Sequence, residues 1–220
     1  EGNGVPADGD LWVSYSVNKE DMWISRIPVP VEINASAHAD DDFSKNKSIA
    51  ELTDWNIYSP VWAPVSLEDQ WLKLQDKDPF DYAKVERKIP ASKELKVSFD
   101  LKAGQNDKGT LQIEFLDETG IACSRIELTD DGIFRLKGGS RFANMMKYEA
   151  GKVYHVEAVL STVDRNIQVY VDGKRVGLRM FYAPVAAVER IVFRTGVPRT
   201  FPTVDTPADQ TYDLPNAGAQ

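Results

Sequence analysis

Between Leu95 and Val171 apolar and polar residues alternate with a period of two, a pattern that suits strands and leaves no room for amphipathic helices. Leu95, Val97, Phe99 and Leu101 interleave with Lys96, Ser98, Asp100 and Lys102, so one side of that strand is apolar and the other wet. Leu111, Ile113 and Phe115 alternate with Gln112 and Glu114 in the same way. Tyr154, Val156, Ala158 and Leu160 repeat the pattern, followed by Ile167, Val169 and Val171. No stretch carries an apolar stripe at helical spacing with proper caps. The nearest, residues 66–74, is short and runs into the strand-like Trp71-Leu72-Lys73-Leu74.

Turn chemistry falls between these runs. Asp172-Gly173 is a two-residue hairpin signal, because glycine tolerates the positive φ such turns need. Asn106-Asp107-Lys108-Gly109, Glu118-Thr119-Gly120 and Asp130-Asp131-Gly132 punctuate three more strand pairs. The expected fold class is all-β: an antiparallel β-sandwich of the jelly-roll type over residues 71–197, with an N-terminal β-hairpin appendage. That appendage, residues 1–31, pairs Leu11–Val17 with Met22–Ile27 across Asn18-Lys19-Glu20-Asp21 and ends on Pro28-Val29-Pro30. An isolated hairpin is marginal in water, so it is expected to pack on something. Residues 32–70 read as a connector with a first strand and an aromatic loop, and residues 198–220 as an irregular tail.

With 42% apolar and 27% charged residues, the 220-residue chain can bury a core of this size and is not disordered. Thirty-four acidic against 26 basic residues give a net charge of −8, which repels phosphate backbones and sets nucleic acid aside as a partner. No apolar run approaches the ~20 residues of a membrane-spanning helix. The single cysteine, Cys123, rules out an internal disulfide framework and a cysteine-rich zinc site. The chain opens on Glu1 without an initiating Met or a leader, so it is expected to be a mature form or a fragment of something longer.

Two stretches resemble known families. Lys152-Val153-Tyr154-His155-Val156-Glu157-Ala158-Val159, with Asn166-Ile167-Gln168-Val169-Tyr170-Val171-Asp172-Gly173-Lys174 after it, resembles the paired strands of concanavalin-like and laminin-G-like jelly rolls. His38-Ala39-Asp40-Asp41-Asp42-Phe43 resembles the acidic-Phe opening of that superfamily. The segment from Asp10 to Arg26 looks like the last strands of a sialidase-like β-propeller. Bacterial glycan-degrading proteins are similar in arrangement: a propeller, a Pro-rich connector and a concanavalin-like domain. The resemblance implies an exported bacterial protein whose catalytic residues lie mostly upstream of this chain. Here the expected role is non-catalytic: bracing a propeller-type catalytic domain and binding carbohydrate. A sandwich that is itself a glycoside hydrolase or polysaccharide lyase is one alternative, and a spacer or interaction module without a ligand is another.

Candidate site residues follow from chemistry. Trp55, Tyr58, Trp62 and Trp71, with Tyr82 close behind, suit stacking on sugar faces or sealing against a neighbouring domain. Arg194 and Arg199 concentrate guanidinium groups in an acidic chain, suiting either sugar carboxylates or structural partners such as Asp76, Asp78 and Glu86. Asp76, Asp78 and Asp81 pack three carboxylates into six residues, a candidate structural Ca²⁺ loop whose alternative is a solvated turn; Asp40-Asp41-Asp42 is a second such cluster. Glu114-Phe115-Leu116-Asp117-Glu118 comes nearest to a glycanase carboxylate signature but ends in a turn. His155 and Cys123 are expected to be structural, and no catalytic residue is assigned.

Overall fold

In the computed structural model, residues 10–17, 21–28, 39–77 and 81–196 are described. The chain divides into two units, Glu1–Asn34 and Ala35–Gln220. In the first, β1 (Asp10–Val17) pairs antiparallel with β2 (Asp21–Pro28), from Asp10 opposite Pro28 to Val17 opposite Asp21. That register puts Trp12, Ile24 and Met22 on one face, and all three are exposed.

The second unit is the sandwich. Its strands are β3 (Trp55–Tyr58), β4 (Val65–Glu68), β5 (Trp71–Leu74), β6 (Lys84–Ser92), β7 (Glu94–Lys102), β8 (Leu111–Leu116) and β9 (Ala122–Leu128). They are followed by β10 (Ile133–Gly138), β11 (Arg141–Lys147), β12 (Val153–Ser161), β13 (Asn166–Val171), β14 (Lys174–Met180) and β15 (Val188–Thr195). Seven form one sheet in the order β11-β10-β9-β8-β15-β6-β3, and four form the other in the order β14-β13-β12-β7. Every pairing is antiparallel. The apolar arms of the alternating runs meet between the sheets: Ile113, Phe115, Ile126 and Leu136 from one side, Val156, Leu160, Ile167 and Val169 from the other. Phe99 meets Phe193 edge-on at 5.1 Å across the gap. Two glycines let β14 close on the larger sheet. A Cβ on Gly138 would lie 2.5 Å from the Cβ of Arg179, and one on Gly177 2.6 Å from the sulfur of Met145.

The ambiguous segment 66–74 is a hairpin, β4 with β5, turning on Asp69 and Gln70, both at positive φ. Neither is glycine, so the turn carries none of the usual composition cues. β3 is an edge strand, a position the neighbouring prolines permit.

Alternation and register align the outward-facing residues of the seven-stranded sheet into lateral rows. One runs Tyr58, Lys84, Arg194, Gln112 and on through Glu127 and Arg135. The next runs Asn56, Glu86, Val192, Glu114 and on through Arg125, Lys137 and Phe142. These rows carry the polar chemistry of the domain.

Candidate functional site

At the β3 end of the first row several residues distant in sequence converge. Tyr58 closes β3, Tyr82 precedes β6 and Arg194 lies near the end of β15. The two tyrosine rings lie 5.0 Å apart, and the Arg194 guanidinium sits 4.0 Å over the Tyr82 ring. The Tyr58 hydroxyl donates to Asp81 Oδ1 at 3.1 Å, and the Tyr82 amide donates to the same oxygen at 2.8 Å. Beneath them Asp76 is buried, its Oδ2 accepting from the Thr195 hydroxyl at 3.0 Å, while Thr195 Oγ1 accepts from the Ala83 amide at 2.8 Å. Of the sequence candidates, Tyr58, Arg194, Asp76 and Asp81 are thus brought to one corner, and Tyr82 joins them.

Trp62 reaches the same corner through the backbone. The Lys77 amide donates to the Trp62 carbonyl at 2.9 Å, and Gln75 donates to the Pro64 carbonyl at 3.0 Å. The Ser59 hydroxyl accepts from the Val65 amide at 2.8 Å. Its indole is 65% exposed on this pinned loop, so little further ordering is needed to stack it on a ligand. The half-buried Trp55 ring lies 5.8 Å from Phe43 and 6.4 Å from Phe193 and packs against the small core of Ala63, Val65, Ala83 and Val85. Trp71 is half-buried in β5. Arg199 and Asp78 lie outside the described residues, as do His38 and the tail from residue 197.

Against this geometry the comparisons can be set. The family model described as "Sialidase-like, CBM domain" matches residues 55–210. The chain belongs to that family of carbohydrate-binding modules. A solved structure described as "Sialidase" is 88% identical over 100% of this module, with a TM-score of 0.84, and the module spans 20% of that chain. Sheep galectin-11 with glycerol is 18% identical over 50% of the module and 88% of its own chain, at a TM-score of 0.40. A carbohydrate-binding module from Bacillus subtilis is 11% identical over 64% and 86%, at 0.37. No curated protein matches the chain. No helix among the described residues is long and apolar enough to cross a membrane.

Several of the carboxylates on the outward face and in the turns are held by ion pairs and hydrogen bonds. Glu114 accepts from Arg125 at 2.8 Å, and Glu127 takes both prongs of Arg135 at 2.8 Å. Glu86 pairs with Lys84 at 2.7 Å and with Arg190 at 3.2 Å. Asp117 accepts from the Thr119 amide and hydroxyl and from the Ile121 amide. Burial would raise its pKa, but these donors together win and hold it below the ordinary aspartate value. It ties a turn. Cys123 is fully buried and desolvation pushes its thiol up to about 12, so it is not a nucleophile at neutral pH. His155 is exposed and pairs with Asp100 at 2.8 Å across β7 and β12. Asp42 caps a short 3₁₀ turn through Ser44, and Asp41 binds Arg87.

Proposed function

We propose that this module holds glycan at the Tyr58–Tyr82–Arg194 corner for a sialidase-type glycoside hydrolase, with a propeller-type catalytic domain elsewhere in the same exported bacterial protein. The observation that carries the reading is an aromatic pair capped by a guanidinium, with an exposed indole on a loop whose backbone is bonded to Gln75 and Lys77: apolar faces for sugar C–H surfaces. The 88% identity to one-fifth of a sialidase chain supports the larger context. Isothermal titration of the 220-residue chain with lactose, N-acetyllactosamine and 3′-sialyllactose tests it. Trp62→Ala and Tyr58→Ala are each expected to weaken binding about tenfold, equivalent to ~1.4 kcal/mol. The thermal midpoint of Trp62→Ala should barely move, since the ring is exposed. Binding unaffected by both variants sinks this site.

Bracing of the neighbouring domain is favoured by a separate observation, the uncovered Trp12, Met22 and Ile24 face of the hairpin unit, since two strands alone cannot bury it. A blank glycan panel would leave this reading standing.

Calcium on the Asp76–Asp81 loop is a separate proposal. Asp76 Oδ2 and the Asp81 carbonyl are hard oxygens, each 3.7 Å from where a side chain on Gly196 would begin. Among the described residues no three acidic, histidine or cysteine side chains gather to hold a metal, so the site would need Asp78. Chelator is expected to lower the melting temperature, and Asp78→Asn to abolish that sensitivity; an unchanged midpoint with chelator ends the idea.

A further inference from the structure

The β11 end of the second outward row has no role in the corner described above. Lys137 on β10 lies between Arg125 on β9 and Phe142 on β11. Its ammonium is 4.6 Å from the Tyr182 ring and 5.7 Å from the Phe142 ring. The Arg135 guanidinium lies 4.2 Å over the Phe142 ring, and that of Arg125 is 5.9 Å from the Tyr182 ring. Tyr182 is held there by its backbone, its amide donating to the Cys123 carbonyl at 3.0 Å. The cluster is therefore two aromatic rings with three cations between and around them.

The charges do not balance. Arg125 is taken by Glu114 and Arg135 by Glu127, both carboxylates being nearly buried. Lys137 is left over: among the described residues its ammonium makes ring contacts but no ion pair or hydrogen bond. Burial and then the Arg125 charge lower its pKa from the ordinary lysine value, against the opposing pull of Glu114 and Glu127. A partly desolvated cation with no anion of its own is unfavourable, and an incoming anion offsets that cost. Flanking rings define what else such a ligand needs, namely an apolar face.

We propose that Lys137, set between Phe142 and Tyr182, is the charge-reading centre of a second subsite that takes a sugar bearing a carboxylate. The proposal rests on the module binding glycan and adds which class it selects. The ammonium meets the carboxylate, and Phe142, exposed at its edge, supports the ring's C–H face. Polyphosphate fits less well, because a chain of net charge −8 repels it at longer range.

The test compares each acid with its neutral counterpart by isothermal titration: 3′-sialyllactose with lactose, and trigalacturonate with its methyl ester. The two pairs separate a sialate from a uronate source of the same carboxylate. Wild-type protein is expected to prefer the acid about tenfold in at least one pair. Lys137→Met should erase that preference while leaving the neutral sugar bound as before, and Lys137→Arg should keep it. Equal affinity for acid and neutral sugars, or a preference that survives Lys137→Met, overturns the proposal while glycan binding itself stands. Failure to bind any of the four, neutral ones included, overturns both.

Discussion

Phe115→Ala is expected to remove about 4 kcal/mol of folding stability, the typical cost of emptying a fully buried phenylalanine site. Phe115 has no exposed surface and sits in β8, with β9 on one side and β15 on the other, in the middle of the seven-stranded sheet. Its neighbours Ile113, Ile126, Val156 and Leu160 come from both sheets, so the void would open between the layers and could not be filled from one side. Against a total of about 5–15 kcal/mol for an ordinary domain, that is a large fraction. Urea unfolding should show a lowered midpoint with an unchanged slope, and the thermal midpoint should fall by about 10 °C. A loss under ~1 kcal/mol would mean that the two sheets do not share one core.

The second large effect is an asymmetric one at Arg87. Its guanidinium is 4% exposed, bound to Asp41 Oδ2 at 2.9 Å and Asp54 Oδ2 at 3.3 Å, with the carbonyls of Asp54 and Lys88 also accepting. Removing both acids, Asp41→Ala with Asp54→Ala, takes two carboxylates away from a buried cation and is expected to cost about 3 kcal/mol. Arg87→Met should cost clearly less, because Asp41 and Asp54, 27% and 40% exposed, can be rehydrated where they stand. Chemical denaturation of both variants measures the difference. Equal losses would show that packing of the arginine stem, not its charge, holds the segment from Asp41 to Asp54 in place.

The sandwich was legible because a half-buried strand writes its two faces into alternate residues. Leu95 to Leu101, Ile113 with Phe115, and Tyr154 to Leu160 all point inward as their spacing implied. The family resemblance at Val171-Asp172-Gly173-Lys174 pointed to the right class of domain. Lateral neighbours were not legible. Tyr58, Tyr82 and Arg194 meet because β3, β6 and β15 lie side by side, and that order depends on crossovers no local pattern records. The same holds for Lys137, whose outward position on its strand was readable but whose partners Phe142 and Tyr182 were not. Asp40-Asp41-Asp42 carried a signal that fits an ion or an arginine equally well, and only the fold brings Arg87 to it. Trp55 illustrates a different ambiguity: a tryptophan ahead of a Pro-rich loop suits a ligand or a small satellite core, and here its ring packs by Phe43 and Phe193.

The borders of the two sheets have a consequence for how such a strand-rich chain stays in solution. β14 ends the four-stranded sheet with Lys174, Arg175 and Arg179, and β7 ends it on the other side with Lys96 and Lys102. β11 closes the larger sheet with Arg141 and Lys147, while β3 is only four residues long. The β14 and β11 rims thus carry like charge and β3 offers little backbone to pair, whereas β7 balances Lys96 and Lys102 with Glu94 and Asp100, so copies meeting at β14 or β11 repel before their amides align. In a protein that is net acidic overall, these two cationic borders oppose strand addition where it would begin.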